Sequence, residues 1–349
     1  MPSTLPSAVL LASALATGVG APAPQTPIER LDALMADYAG DVPGASVLVV
    51  RDGEVVVRRA WGLADVDKGV PASPATNYRL ASVSKQFTAA AILLLAEDGR
   101  LRLDDPVGRW LPSLPAKPGA ATLHQLLTHS SGLLDYEDFV PAAATSQVRD
   151  ADVLRLLEPH DRTLFPPGTG YRYSNSGYAL LALVVAKSSG RGFPAYLREN
   201  IFLPLGMDAT LARVDEGPPV AHRAYGHGED GAWRRTDQSP TSAVLGDGGI
   251  YSSIDDLAKW DAALYDDRLL SAESRRLAFA PHVATDDPAV RYGYGWRITG
   301  DTLWHSGETI GFRNVIVRWP AQKLTVVVLT NRDDREPYPL ALRIAALFP

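Results

Sequence analysis

The chain has 349 residues, of which 46% are hydrophobic and 21% charged, and its net charge at pH 7 is -6. This composition is typical of a globular protein with a substantial core, and the absence of a basic run argues against a nucleic-acid partner. There are no cysteines, which excludes disulfides, thiol nucleophiles and cysteine-based zinc sites. The seven histidines form no H-E-x-x-H pattern and no tight cluster, so we predict no metal and no other cofactor.

The first 24 residues have the composition of a secretory signal. An apolar stretch of small residues, Ala8 to Gly20, precedes Ala21-Pro22-Ala23, which suits signal peptidase. Residues 2–7 contain no Lys or Arg, so a disordered Ala-rich leader is the alternative. We predict export to the periplasm or the extracellular space. No other segment reaches about 18 uninterrupted apolar residues, so no integral membrane span is predicted.

The amino-terminal third carries helix and hairpin signals. Apolar residues at helical spacing predict a helix over 27–39. Two β-branched runs on either side of Asp52-Gly53 predict a hairpin with strands over 45–50 and 55–61. Residues 64–80 are predicted to form a loop. A second apolar helix carries Lys85 and ends at Gly99, because glycine suits the left-handed position after a helix.

Helical patterns dominate the middle of the chain, and strand patterns return near its end. Helices are predicted over 123–127, 150–157, 177–187, 193–201, 254–265 and 338–347. The helix over 254–265 begins after Ser252-Ser253, which can cap it. Arg313–Trp319 and Leu324–Thr330 are predicted to form a second hairpin across a turn that begins with Pro320.

This order of elements predicts an α+β or α/β fold. We expect an antiparallel sheet built from both ends of the chain, flanked by the N- and C-terminal helices, with a mainly helical subdomain inserted. The predicted sheet subdomain covers about 27–80 and 240–349, and the helical subdomain covers about 81–239. Both form one domain over residues 25–349.

The most informative stretch is Ser82-Val83-Ser84-Lys85, at the predicted start of the apolar helix. Residues three apart on a helix share a face, so the Lys85 amine can reach the Ser82 hydroxyl. A serine hydroxyl is a weak nucleophile until a base takes its proton, and a lysine is such a base when burial favours its neutral form. By itself the pattern is weak, because roughly one such pair is expected by chance in a chain of this length.

Two further patches contain candidate chemistry. Tyr173 and Asn175 precede an apolar helix, and on extended backbone their side chains would face the same way, into one cleft. His305-Ser306-Gly307-Glu308 is predicted on a short strand edge, where Gly307 lets a ligand approach the backbone. Taken singly, each patch is better explained by structure alone, as a turn with a helix cap or as a solvated strand end.

Taken together, in this order and separation, the patches resemble the serine β-lactamase and penicillin-binding-protein superfamily. They are most similar to its class C β-lactamase-like branch, which includes esterases and D-amino-acid peptidases. The superfamily carries S-x-x-K, Y-x-N or S-x-N, and K-T-G or H-x-G motifs, which here read Ser82-Val83-Ser84-Lys85, Tyr173-Ser174-Asn175 and His305-Ser306-Gly307. Flanking segments also match: Tyr78-Arg79-Leu80-Ala81, residues 126–133, Phe165-Pro166-Pro167-Gly168 and Gly311-Phe312-Arg313. The resemblance covers about residues 28–348 and implies a β-lactamase-like fold.

The resemblance implies three catalytic residues. Ser82 would be the nucleophile that becomes acylated, and Lys85 would be neutral at the moment of attack and accept or relay the hydroxyl proton. Tyr173 would carry a proton between Ser82 and the leaving group and would later activate water. Lys85 is the nearby cation that would stabilise the Tyr173 phenolate.

The resemblance also implies the residues that bind substrate. Asn175 would hydrogen-bond the amide or acyl side chain of the substrate, and the segment His305-Ser306-Gly307-Glu308 would form the wall of the site. The backbone N–H groups of Ser82 and Glu308 would form the oxyanion hole. Gly307 has no side chain to obstruct the substrate.

His305 departs from the commonest pattern, because β-lactamases and most DD-peptidases carry lysine there. Lysine is a point charge suited to a substrate carboxylate, whereas histidine is mostly neutral at pH 7. We therefore predict a serine hydrolase that forms an acyl-enzyme on ester or amide bonds, including those of D-amino-acid peptides. A true β-lactamase or DD-peptidase, and a non-catalytic penicillin-binding-like scaffold, are the alternatives. The sequence leaves the oligomeric state and the physiological substrate open.

Overall fold

The structure is a computed structural model that describes Met1 and residues 25–349. The predicted signal sequence over 1–24 lies, apart from Met1, outside the described residues and stays a prediction. The strands are β1 (Ala45–Arg51), β2 (Glu54–Trp61), β3 (Leu63–Asp65), β4 (Val70–Pro71), β5 (Tyr78–Arg79), β6 (Leu211–Ala212), β7 (His227–Glu229), β8 (Trp233–Arg235), β9 (Ile250–Ser252), β10 (Val283–Ala284), β11 (Arg291–Tyr292), β12 (Arg297–Thr299), β13 (Thr302–Thr309), β14 (Phe312–Trp319) and β15 (Leu324–Thr330).

Helices cover much of the remaining chain. The α-helices are α1 (Pro27–Leu34), α2 (Lys85–Glu97), α3 (Ala116–Gly119), α4 (Leu123–Leu127), α5 (Asp150–Leu157), α6 (Asn175–Ser189), α7 (Phe193–Leu197), α8 (Leu245–Gly248), α9 (Ile254–Ala263), α10 (Ala272–Ala278) and α11 (Pro337–Ala345). Short 3-10 turns lie at Ala36–Tyr38, Ala81–Ser84, Val107–Arg109, Tyr136–Phe139 and Pro320–Gln322, and a π-helical turn at Arg198–Phe202.

In the described residues, eight strands form one antiparallel sheet in the order β10-β11-β12-β13-β14-β15-β1-β2. The strands β1 and β2 come from the amino-terminal part of the chain, and the other six come from its carboxy-terminal part. Between these two parts lies the mainly helical region that contains α2 to α7. This architecture confirms the predicted antiparallel sheet built from both ends of the chain.

The two faces of the sheet pack against different helices. Alternate residues of a strand point to opposite faces. On β1, Val47 and Val49 pack in a cluster with Ile344 of α11 and Leu31 of α1. Leu48, between the two valines, packs in the larger cluster that includes α2, α6 and α9. The terminal helices therefore cover one face, and the elements that carry the candidate site cover the other.

Local signals predicted the first elements well. The β1–β2 hairpin has the predicted turn, in which Asp52 and Gly53 adopt φ values of 52° and 83°. The first helix begins as predicted, with a capping box between Thr26 and Glu29. It ends at Leu34 rather than at residue 39, because the chain continues into the 3-10 turn at Ala36–Tyr38.

Other local predictions were wrong where partners distant in the chain decide the structure. The predicted loop over 64–80 contains β4 and β5, because β5 pairs with β9 and β4 with β3. The helix predicted over 193–201 divides into α7 and a π-helical turn. The segment with His305 lies in the eight-residue strand β13 rather than in a short strand. Only residues 302–304 of β13 pair with β12, so His305 to Glu308 pair with β14 alone and lie at an open edge, which agrees with the predicted strand edge.

A search of residues 25–349 finds no helix with the length and apolar character that a membrane crossing requires.

Candidate active site

Ser82 lies in the 3-10 turn that leads into α2 and is half-buried. The α-helix itself begins at Lys85, so the serine precedes the predicted helix by almost one turn. Ala81, directly before the serine, has φ of 50°, which residues with a Cβ rarely adopt. Such backbone strain is common at functional sites, where the surrounding structure holds it.

Lys85 is fully buried, and its amine has three hydrogen-bond acceptors. The Nζ atom lies 3.0 Å from Ser82 Oγ, 2.8 Å from Asn175 Oδ1 and 2.9 Å from the backbone oxygen of Asp247. A lysine ammonium has three N–H donors, so these partners satisfy all of them. The amine is thereby held in one position, against the hydroxyl that it would deprotonate.

The Tyr173 ring completes the predicted trio, because its centroid lies 4.9 Å from Lys85 Nζ. Tyr173 lies outside any helix or strand, but Asn175 is already the first residue of α6, and Ser174 caps that helix by accepting from Gly177 N. The expectation that Tyr173 and Asn175 share a face of an extended segment was therefore wrong. Both nevertheless lie beside Lys85, since helix α6 starts at the amine.

The third motif packs against the turn that carries Ser82. A Cβ on Gly307 would lie 2.0 Å from the backbone oxygen of Leu80 and 3.2 Å from the backbone nitrogen of Val83. Only glycine allows so close an approach between β13 and the turn. Strand β13 therefore runs directly beside the serine, with Ser306 half-buried and Glu308 exposed.

His305 is buried, and both of its ring nitrogens have protein partners. Nδ1 lies 2.6 Å from the Ser306 carbonyl oxygen, which only accepts, so Nδ1 donates and Nε2 accepts from the Tyr292 hydroxyl at 2.8 Å. Burial, with the cations of Arg297 and Lys85 nearby, holds the pKa of His305 well below its ordinary value of 6.5. The imidazole is therefore neutral, and its side chain lies behind the Tyr173 ring, with ring centroids 6.3 Å apart.

Three further residues of this site were missed by the sequence analysis. Arg297, on β12, has its guanidinium carbon 5.5 Å from the Tyr173 ring centroid, and its buried Nε has no hydrogen-bond partner among the described residues. Glu137 accepts a hydrogen bond of 3.1 Å from Asn175 Nδ2. Asp247 supplies the third acceptor of Lys85. None of the three belongs to a motif, and only strand pairing and loop packing bring them to the site.

The carboxyl groups near Lys85 have perturbed acidities. Burial, followed by the effect of Asp135, raises the pKa of Glu137 above its ordinary value, although Asn175 and Lys85 oppose this. Burial raises the pKa of Asp247 to about 7.

Among residues 25–349, no group of three His, Asp or Glu side chains is arranged to hold a metal ion.

Comparison with known proteins agrees with this arrangement. The family model described as Beta-lactamase matches residues 29–348. This chain belongs to the beta-lactamase family. Penicillin-binding protein 4* of Bacillus subtilis strain 168 is 32% identical over 322 residues, which cover 86% of this chain and 71% of that protein.

Other members of the family act on D-amino-acid compounds, according to their names. A D-aminopeptidase of Gluconobacter oxydans strain 621H is 31% identical over 309 residues, which cover 86% of this chain but 58% of that protein. The chain therefore spans less than two thirds of the length of that relative. The solved structure of D-amino acid amidase from Ochrobactrum anthropi SV3, complexed with L-phenylalanine amide, has a TM-score of 0.80 and 26% identity, covering 92% of this chain and 98% of that one.

Membership of the beta-lactamase family confirms the resemblance on which the sequence analysis relied. The fold and the general class, a serine hydrolase of the β-lactamase-like type, are those predicted from the three motifs.

Proposed function

We propose that this protein is a serine amidase or peptidase that forms an acyl-enzyme on Ser82 and prefers small substrates with a free α-amino group. The observation that carries this proposal is the hydrogen bond between Glu137 and Asn175. It puts a carboxylate next to the amide that would bind the acyl part of the substrate. An α-ammonium group is the substrate feature that such a carboxylate attracts.

The catalytic steps assign the proton transfers to the two neighbours of Ser82, Lys85 and Tyr173. The Ser82 oxygen bonds to the substrate carbonyl carbon while Lys85 accepts the hydroxyl proton across the 3.0 Å contact. Tyr173 then passes a proton to the departing amine as the C–N bond breaks. In deacylation, water bonds to the acyl carbon and Tyr173 takes its proton, while the Ser82 oxygen leaves and takes back its proton from Lys85.

Backbone groups would stabilise the charge that develops in these steps. The N–H groups of Ser82 and Glu308 are the proposed donors to the carbonyl oxygen, and the close packing of Gly307 on the Ser82 turn supports this pairing. Removing one such donor typically costs about 10²–10³ in rate. Asn175 and Ser306 would contact the substrate, and His305 would support the strand from the interior.

A second candidate function is supported by a different residue. The guanidinium of Arg297 lies over the Tyr173 ring, and its Nε atom has no partner in residues 25–349. This cation can bind a substrate carboxylate, in place of the lysine that His305 replaces. A DD-peptidase or β-lactamase activity on carboxylate-bearing substrates is therefore the alternative.

Whether Ser82 is the nucleophile can be tested by measuring the intact mass of the protein after reaction with a covalent probe. A fluorophosphonate probe, which loses fluoride when its phosphorus bonds to the serine oxygen, should add one phosphonyl group to the wild-type chain and none to Ser82→Ala. No adduct with any acylating probe would favour the non-catalytic scaffold instead.

The substrate class can be tested with a matched pair, D-alanine nitroanilide and its N-acetyl derivative, compared by kcat/KM. Because only the first has an ammonium group, we expect it to be preferred. Preference for the N-acetyl form would contradict the proposal. A short-chain nitrophenyl ester, a chromogenic cephalosporin and an N-acylated peptide ending in D-alanyl-D-alanine test the esterase, β-lactamase and DD-peptidase alternatives.

We also propose that the protein is exported, as the sequence of residues 1–24 suggests. Expression in a bacterial host, followed by cell fractionation and sequencing of the mature amino terminus, tests this. A mature chain in the periplasm or medium that begins after Ala23 is expected. A cytoplasmic chain that retains Met1 would contradict it.

A further inference from the structure

We propose that Tyr136 and Asp247 form a buried clasp that positions Lys85 and stabilises the ammonium that forms when Lys85 takes the Ser82 proton. This inference rests on the proposed function of Lys85 as the base. The clasp is the hydrogen bond from the Tyr136 hydroxyl to Asp247 Oδ2, 3.1 Å long. Both side chains are buried.

Asp247 contacts both Lys85 and Tyr136. Its backbone oxygen accepts a hydrogen bond from Lys85 Nζ, while its carboxylate accepts from Tyr136. The hydrogen bond from Tyr136 restrains the Asp247 carboxylate. It thereby also restrains the backbone oxygen of Asp247, which accepts from Lys85. The clasp thus acts on the lysine through a single residue.

Tyr136 connects the same clasp to the substrate side of the site. Its backbone nitrogen donates to Ser176 Oγ at 2.8 Å, and the next residue, Glu137, accepts from Asn175 Nδ2. Asn175 in turn accepts from Lys85 Nζ. The turn at Tyr136–Phe139 is therefore joined to Lys85 by two routes, one through Asp247 and one through Asn175.

The position of α8 is fixed from its other side. The carboxylate of Asp150 accepts from Leu245 N at 3.1 Å and from Gly246 N at 3.0 Å, and Thr88 Oγ1 donates to the Gly246 oxygen at 2.7 Å. These contacts hold Leu245 and Gly246, the first two residues of α8, and none of them involves Asp247. Anchoring of these two residues therefore does not explain why the Asp247 carboxyl is buried.

Burial of a carboxyl is costly unless an opposite charge compensates it. The titratable groups that face Asp247 are Lys85 on α2, Tyr136 and Glu137 on the 3-10 turn, and Asp150 on α5. Of these, Lys85 is the cation. An ionised Asp247 therefore stabilises positive charge on Lys85, which is the charge that appears when the lysine accepts the serine proton.

The clasp also predicts a pH dependence. Burial raises the pKa of Asp247 to about 7, whereas the Tyr136 hydrogen bond and the Lys85 charge lower it. Acylation should therefore become faster as Asp247 ionises near pH 7. In Tyr136→Phe the carboxylate loses its hydrogen-bond donor, so the inflection should move to higher pH. In Asp247→Asn the inflection should disappear, because the amide does not titrate.

The experiment measures the rate at which a fluorophosphonate probe modifies Ser82, by intact mass, from about pH 5.5 to about pH 9. The variants are Tyr136→Phe and Asp247→Asn, with Asp256→Asn as the matched control. Asp256, on α9, is also a buried carboxylate, but it accepts from Thr210 and from the backbone of Ala209, outside this site. Thermal unfolding is measured for all four proteins.

We expect the probe to modify Tyr136→Phe about tenfold more slowly at pH 7, with the inflection moved to higher pH and the unfolding temperature close to wild type. Asp256→Asn should keep the wild-type profile. The proposal would be overturned if both clasp variants kept the wild-type rates and inflections. It would also be overturned if Asp256→Asn lost as much of the modification rate as the clasp variants. If Asp247→Asn does not fold, Tyr136→Phe decides, because it keeps the buried ring. An unmodified wild-type protein would overturn the proposed function itself, which is a distinct result.

Discussion

The Lys85 amine lies 2.8 Å from the side-chain oxygen of Asn175, although 90 positions separate the two residues in the chain. This contact joins the first residue of α2 to the first residue of α6, two helices of the same core. A buried lysine needs such partners, because an amine without acceptors would lose its hydration and gain nothing in return. The site therefore exists only when the helical region is folded against the turn that carries Ser82.

Replacing the lysine tests the catalytic assignment. Lys85→Ala should lower kcat by at least about 10³, because the variant has no group to accept the Ser82 proton. The circular dichroism spectrum should remain that of a folded protein. Lys259→Ala is the matched control, since Lys259 also bonds to a carbonyl and a carboxylate but lies near the surface. Near-normal turnover in Lys85→Ala would remove this lysine from the mechanism.

Replacing Gly307 tests the packing of β13 on the Ser82 turn. Because an added Cβ would lie 2.0 Å from the Leu80 oxygen, Gly307→Ala must push the strand and the turn apart. We expect a loss of about 10² or more in kcat/KM and a lower unfolding temperature. In Gly192→Ala, where nothing lies within 4 Å of the added atom, both should be unchanged. Equal behaviour of the two variants would contradict the close packing.

Removing the Glu137 charge tests the substrate preference. Glu137→Gln should lower kcat/KM for D-alanine nitroanilide about tenfold or more, because the ammonium loses its partner, while a neutral nitrophenyl ester is affected little. Glu54→Gln, an exposed carboxylate on β2, serves as the control. A uniform loss on both substrates would mean that Glu137 supports the fold of the site rather than selecting the substrate.

Removing the Arg297 charge distinguishes the second candidate. Arg297→Gln should weaken acylation by benzylpenicillin, which carries a carboxylate, about tenfold or more. The neutral ester should be hydrolysed at nearly the wild-type rate. If the penicillin reacts equally with both proteins, the guanidinium does not bind the substrate carboxylate.

The buried Asp247 should make stability depend on pH. Its folded-state pKa is raised from 3.8 to about 7, so the stability it contributes is present below about pH 4 and is lost as the pH rises through about 7. Between about pH 5 and 7 the loss is on the order of 2 kcal/mol, and Asp247→Asn does not share it. Urea unfolding of the two proteins at both pH values measures this difference. A constant difference would contradict the raised pKa.

His305 should remain neutral over the physiological range. Burial, with Arg297 and Lys85 nearby, holds its pKa well below 6.5. The nitrogen chemical shifts of its ring should therefore not change between about pH 5.5 and 8. Titration of His305 in this range would mean that water reaches it.

The sequence by itself determined the parts of this protein that depend on neighbours along the chain. The Asp52-Gly53 turn, the Thr26 cap and the Ser82–Lys85 spacing are local features, and residues a few positions apart are constrained to meet. Three motifs in the right order then identified the family, because together they are far more specific than any single one.

Only the tertiary structure decided which other residues reach the site. Glu137, Arg297 and Asp247 belong to no motif, and each arrives through a turn or strand whose partners lie far along the chain. The pairing of β13 with β12 and β14 and the buried, neutral state of His305 have the same origin. Strand pairing and burial depend on contacts between distant segments, and no local pattern of residues contains that information.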